Sequence, residues 1–156
     1  MDKLKAQEAV YKYSESILKV SFTYVKNTSD AEDIAQDVFL ALLLSDKKFE
    51  SEEHLKAWLI RTAINKSKNH LKRAWNSKRV RFDVQTAAVP PEETKVLSAV
   101  LSLEEKYRIP LHLFYYEGYS IKEIAGILHK KPSTVGSYLA RGREKLKKIL
   151  EGESIG

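Results

Sequence analysis

The chain has 156 residues, a formal charge of +6, and 43% hydrophobic and 31% charged residues. That length holds one medium domain or two small ones and excludes a large multi-domain enzyme, and the apolar share is above that of a disordered chain. The lack of cysteine excludes disulfides, thiolate metal sites and cysteine nucleophiles, and fits a reducing compartment such as the cytoplasm. The longest apolar run, Val38 to Leu44, is seven residues against about twenty for a bilayer span, so no membrane insertion is expected. No apolar stretch follows the first lysines, so no secretory signal is expected either. The four histidines are scattered, and no metal or other cofactor is expected.

No proline precedes Pro90 and no glycine precedes Gly118, so the first half can be long helix. Apolar spacing through Val10, Ile17, Leu18, Tyr24 and Val25 predicts a helix over roughly residues 5–26. Ser29-Asp30-Ala31-Glu32 then reads as a capping box that opens a second helix, with Ile34, Ala35, Val38, Phe39, Leu42 and Leu43 as its buried stripe. After a polar break at 45–53, a third helix begins its apolar face at Leu55, Trp58, Leu59, Thr62 and Ala63 and runs to about Arg79. Residues 82–94 carry the Pro-Pro pair and three acids without a base, which predicts an extended acidic linker between two domains, 1–81 and 95–152. Shorter helices follow. One spans Val96–Leu101, and the next is capped by Ser102, kinked at Pro110 and ended by Gly118. A capping box at Ser120 to Glu123 opens a helix through Leu128, and Ser133-Thr134 caps a last one through about Leu150. With no convincing alternating pattern anywhere, the expected fold is all-α with two small helical domains.

Three constellations bear on function. The last two helices, joined by a four-residue turn, have helix-turn-helix spacing, and the second of them carries Arg141, Arg143, Lys145, Lys147 and Lys148 against Glu144 alone. A plain helical hairpin gives the same spacing, and late basic residues also suit the macrodipole. Second, the stretch from His54 to Phe82 holds nine basic residues and no acid. Within it Arg61, Asn65, Lys68, Lys72 and Arg79 fall on one stripe, with Asn69 and Trp75 beside it. Cations neutralise phosphates, amides hydrogen-bond base edges and an indole stacks on an unpaired base, so this mixture suits partly opened DNA. Trp58, at apolar spacing, reads as core. Third, Asp30, Asp33 and Asp37 share a face near a helix start, where they either complement the macrodipole or dock a basic partner. No phosphate loop, zinc-protease motif or nucleophile elbow is present, so no enzyme activity and no catalytic residue is expected.

Residues 30–39 (DAEDIAQDVF), 57–65 (AWLIRTAIN), 120–125 (SIKEIA), 134–137 (TVGS) and 141–143 (RGR) resemble, in this order, the signature segments of bacterial sigma factors of the sigma-seventy family, closest to the extracytoplasmic-function group. The resemblance covers nearly the whole chain and implies a sigma region 2 domain and a sigma region 4 domain that together bind RNA polymerase core and direct it to promoter DNA. It implies core docking through Asp30, Asp33 and Asp37. It implies minus-ten recognition and melting through Arg61, Asn65, Lys68, Asn69 and Lys72. Minus-thirty-five readout in the major groove is implied for Lys130, Lys131, Ser133, Thr134, Ser137, Tyr138 and Arg141. An anti-sigma partner is implied too, and the acidic linker resembles a segment that lies in polymerase channels. The chain departs from many relatives in carrying Gly136 and Tyr138 in place of basic residues, and His129 in place of a turn glycine, which is expected to be left-handed. Two other readings stay open: a stand-alone helix-turn-helix regulator that binds duplex DNA, and a sigma-like protein that occupies polymerase without opening promoters.

Overall fold

A computed structural model describes the backbone of residues 1–76 and 91–152 and the side chains of all of these but 91–94. Their regular structure is entirely helical, and the chain divides into two compact units, Met1–Val84 and Gln85–Gly156.

The first unit is a three-helix bundle in which α1 (Lys3–Val25), α2 (Thr28–Leu44) and α3 (Glu52–Asn76) each pack on the other two. Its core interleaves Ile17, Val20 and Val25 of α1, Ile34, Val38 and Leu42 of α2, and Leu59, Ile60, Ala63 and Ile64 of α3, all buried. Each valine, leucine or isoleucine among them contributes roughly 1.5–3 kcal/mol when removed from water. Of the expected apolar stripes, Val10 and Leu43 are exposed, and Leu18, Ala35, Phe39, Leu55, Trp58 and Thr62 are half-buried, the Trp58 ring edge-on to Phe49 at 5.6 Å.

The corner between α1 and α2 also differs from expectation. Lys26 turns left-handed (φ 62°) and its N–H returns to Phe22 O at 2.8 Å, which ends α1 abruptly. Asn27, two residues earlier than the expected Ser29, is therefore the cap: its Oδ1 accepts from Asp30 N–H at 2.8 Å. Ser51 opens α3 in the same manner, its Oγ accepting from His54 N–H at 3.1 Å. The final part of the expected third helix, 77–79, lies outside the described residues, as does 82–90 of the expected linker. Residues 91–94 of that linker are instead the first turn of α4 (Pro91–Leu101), because the fixed φ of Pro91 suits the first position of a helix.

In the second unit α4, α5 (Glu105–Leu111), α6 (Ile121–Leu128) and α7 (Pro132–Leu150) surround Leu101, Leu103, Ile109, Leu113, Ile124, Val135 and Leu139. Ser102 does not cap α5. Its hydroxyl donates to Ala99 O at 2.6 Å and closes α4, and the cap position falls to Glu104 without a side-chain bond. Pro110 has no N–H to return to the preceding turn, and two residues later the chain widens into a π turn, His112–Tyr116. Arg108, within this core at 5% exposure, donates from Nη1 to Leu103 O at 2.7 Å.

The end of the chain forms the helix-turn-helix. Ser120 and Glu123 make the reciprocal capping box, Glu123 N–H to Ser120 Oγ at 3.1 Å and Ser120 N–H to Glu123 Oε1 at 3.0 Å. His129 is left-handed (φ 55°, ψ 45°) and Lys130 N–H closes on Ala125 O at 3.0 Å. Pro132 takes the first position of α7, so Ser133 and Thr134 sit inside its first turn and the cap residue is Lys131, with no side-chain bond. Gly142 is the close-approach point of α7 on α5: a Cβ there would stand 3.0 Å from Leu111 Cδ1 and 3.3 Å from Tyr107 Cβ.

Candidate nucleic-acid interface

Burying Leu59, Ile60, Ala63, Ile64 and Ser67 fixes the rotation of α3, and that rotation puts Arg61, Asn65, Lys68, Asn69 and Lys72 on the solvent side, every one exposed. At 3.6 residues per turn the five occupy a sector of about 100° and a length of about 17 Å. From His54 to Asn76 this helix holds no acid, so nothing on it offsets the positive face. Arg79 lies outside the described residues. The first turn, with Glu52 and Glu53, faces α1, where Tyr13 Oη donates to Glu52 Oε2 at 2.6 Å and Lys12 stands 3.6 Å from Glu52 Oε1. Partial burial and then the Glu52 carboxylate push the Tyr13 phenol up to about 12, and the same hydrogen bond holds Glu52 below its ordinary value.

On α2 the three aspartates do not behave alike. Asp33 and Asp37 are exposed. Asp30 is half-buried and turned inward: its Oδ2 accepts from Asn27 Nδ2 at 2.7 Å and meets His70 Nε2 of α3 at 2.9 Å. The outward stripe continues past Asp33 and Asp37 into Leu40 and Leu44, 53% and 74% exposed at spacings of three and four residues. The acidic face thus runs on as an apolar one. The signal for this was present in Val38 to Leu44, since seven consecutive apolar residues wrap nearly two turns and cannot all face one core.

On α7, burial of Val135 and Leu139 leaves Ser133, Ser137 and Arg141 exposed and Thr134 half-exposed, and Lys130 and Lys131, just before the helix, are exposed too. Tyr138 is divided between surface and core, its ring edge-on to Tyr107 of α5 at 5.9 Å and 88°. A Cβ built at Gly136 meets nothing within 4 Å, so packing does not require a glycine there. Arg143, beside this face, donates to Tyr115 Oη at 2.9 Å. Among the described residues no group of three or more histidines and carboxylates is arranged to hold a metal, and no helix is long and apolar enough to cross a membrane.

Residues 10–77 match the family model of Sigma-70 region 2, and residues 93–146 that of Sigma-70, region 4. The chain is 30% identical to the RNA polymerase sigma factor SigZ of Bacillus subtilis, over 82% of this chain and 77% of that protein. It is 29% identical to the RNA polymerase sigma-H factor of Pseudomonas aeruginosa, over 96% and 88% of the two chains. In fold it is similar to the sigma factor RpoE of Bartonella quintana solved with the anti-sigma factor NepR, at a TM-score of 0.78 and 20% identity over 93% of this chain and 96% of that one. It is likewise similar to CnrH solved with the cytosolic domain of CnrY, at 0.74 and 22% over 98% and 92%.

Proposed function

The chain belongs to the sigma-70 family of RNA polymerase sigma factors, and from that premise we propose how its exposed faces divide the work of promoter-specific initiation among themselves. The first unit docks on core polymerase through Asp33 and Asp37 of α2, with Asp30 holding that helix against α3 from the inside. Its α3 recognises and melts the minus-ten element: Arg61, Lys68 and Lys72 hold the backbone, and Asn65 and Asn69 reach base edges. In the second unit α7 enters the major groove at the minus-thirty-five element with Lys130, Lys131, Ser133, Thr134, Ser137 and Arg141, while Tyr138 contributes from its half-buried position. The first domain is 1–81, and the second, expected over 95–152, takes in the whole of α4 and so starts at Pro91. The chain has no catalytic residue and needs no cofactor; opening is driven by binding, and the chemistry is that of the polymerase core, in the cytoplasm. The relatives solved in complex with NepR and with CnrY support an anti-sigma partner for this chain as well.

The observation that carries the reading is the match of both sigma regions, in order, to a chain whose α3 exposes five polar and basic residues on one face. A stand-alone regulator leaves the region 2 half without a task. Fluorescence anisotropy of the labelled protein against core polymerase, with free duplex DNA for comparison, tests it. Tight core binding with weak free-duplex binding is expected; strong salt-sensitive duplex binding without core affinity overturns it.

A further inference from the structure

Trp75 is 77% exposed near the end of α3. An isolated exposed apolar residue needs no explanation in itself, yet an indole is the side chain that loses most by standing in water. The other tryptophan, Trp58, is half-buried against Phe49. What sets Trp75 apart is its alignment. It lies three residues beyond Lys72 and fourteen beyond Arg61, within about 40° of Arg61 around the helix axis, so it extends the exposed basic stripe by one turn. Asn69 is about 9 Å away along the axis, the rise of two or three stacked nucleotides at about 3.4 Å each.

We propose that Trp75 is a further DNA-contacting residue, whose indole stacks on an unpaired base at one edge of the opened promoter segment held by α3. The inference rests on the reading of α3 given above and adds to it a stacking site. A paired base inside a duplex hides both its faces in its neighbours, so an exposed ring finds a partner only where the duplex has been opened. The cations that share its face, Lys68 and Lys72, attract the phosphates that flank such a base, and the ring supplies contact that is indifferent to base identity. An acidic protein surface would also be attracted to this face, but a contact of that kind gives no preference for opened over intact DNA.

Core polymerase carrying the full chain is titrated with two fluorescein-labelled duplexes that are identical except for an internal bubble of unpaired bases, with 2-aminopurine placed in turn at each position of the bubble's non-template strand. Trp75→Ala and Trp75→Leu are expected to weaken bubble binding roughly five- to hundredfold and to relieve the quenching of one 2-aminopurine position. Trp75→Phe should stay within about threefold of wild type. Intact-duplex binding, core affinity and thermal melting should be unchanged in all three. Unchanged bubble binding in Trp75→Ala overturns the proposal. So does Trp75→Leu performing as well as Trp75→Phe, an equal loss on intact duplex, or a loss of core affinity, which would mark a protein contact. Arg61→Ala and Asn65→Ala run in parallel: if they lose bubble binding and Trp75→Ala does not, the stacking site alone fails, and if none does, the α3 reading fails and the stacking site with it.

Discussion

Asp30 of α2 and His70 of α3 meet at 2.9 Å, the aspartate being at the same time the residue whose N–H is capped by Asn27. The first turn of the acidic helix is thereby fastened to the last third of the basic one, and the contact is part-buried. Asp30 is for this reason a different kind of residue from Asp33 and Asp37, although all three share a spacing.

The two kinds separate under mutation. Asp30→Ala should lower the stability of the first unit by about 1–3 kcal/mol, since it strands the polar partners Asn27 and His70. Asp33→Lys with Asp37→Lys should leave stability within about 0.5 kcal/mol and weaken core binding instead. Urea midpoints and anisotropy with labelled core read the two effects, and unaltered core affinity in the double variant removes the docking role.

Alanine at Arg61, Asn65 or Asn69 should slow promoter opening without changing core affinity or melting temperature, because each side chain is exposed and none supports the core. Permanganate reactivity of unpaired thymines is the readout. Footprints equal to those of the wild type in all three variants would take the minus-ten role away from α3.

Two glycines six residues apart on α7 should respond to alanine with opposite signs. Gly136→Ala gains helix propensity and meets nothing, for about 0.5–1 kcal/mol of added stability. Gly142→Ala drives a methyl group against Leu111 and Tyr107; overpacking of about 1–3 kcal/mol exceeds the same propensity gain. Thermal melts that moved in one direction for both variants would contradict this account of α7 packing.

Tyr13, through its burial and then its bond to Glu52, and Glu52, through that bond, make the first unit sensitive to pH at both ends. The Tyr13 phenol titrates at about 12 when folded against an ordinary value of 10.0, so its contribution is complete below pH 10 and is lost as pH rises towards 12. Glu52 is held below its ordinary value, so its contribution is present above that value and is lost as pH falls through the lower folded one. Tyr13→Phe should flatten the alkaline side and reduce the acid-side loss. Denaturant midpoints of wild type and variant between pH 9 and pH 11.5 provide the check on the alkaline side, and curves that stay parallel there would refute the coupling.

Periodicity found the helices and the faces of α3 and α7 because burial at 3.6-residue spacing is a property of the sequence itself. Helix starts were less legible. Ser120 with Glu123 formed its box, but Ser29, Ser102 and Ser133 did not cap, since a cap is chosen by where the previous helix stops: Lys26 turned left-handed and handed the role to Asn27, Ser102 bonded backwards to Ala99, and Pro132 began α7 early. The internal ties of Asp30 to His70 and of Tyr138 to Tyr107 join residues 40 and 31 positions apart, beyond what helical spacing reports. Leu40 and Leu44 were legible in principle, from an apolar run too long for one face.

Gly136 has a consequence for how such a protein changes over time. A Cβ installed there meets nothing within 4 Å, so packing places little constraint on the residue at that position, and helix propensity alone favours most residues over glycine. Most surface positions that read a ligand are also braced by neighbours, and a change in preference then carries a change in fold. On the proposed reading of α7 the two are uncoupled at position 136: a side chain added there would extend the face offered to DNA while the packing of the domain beneath it stays as it was.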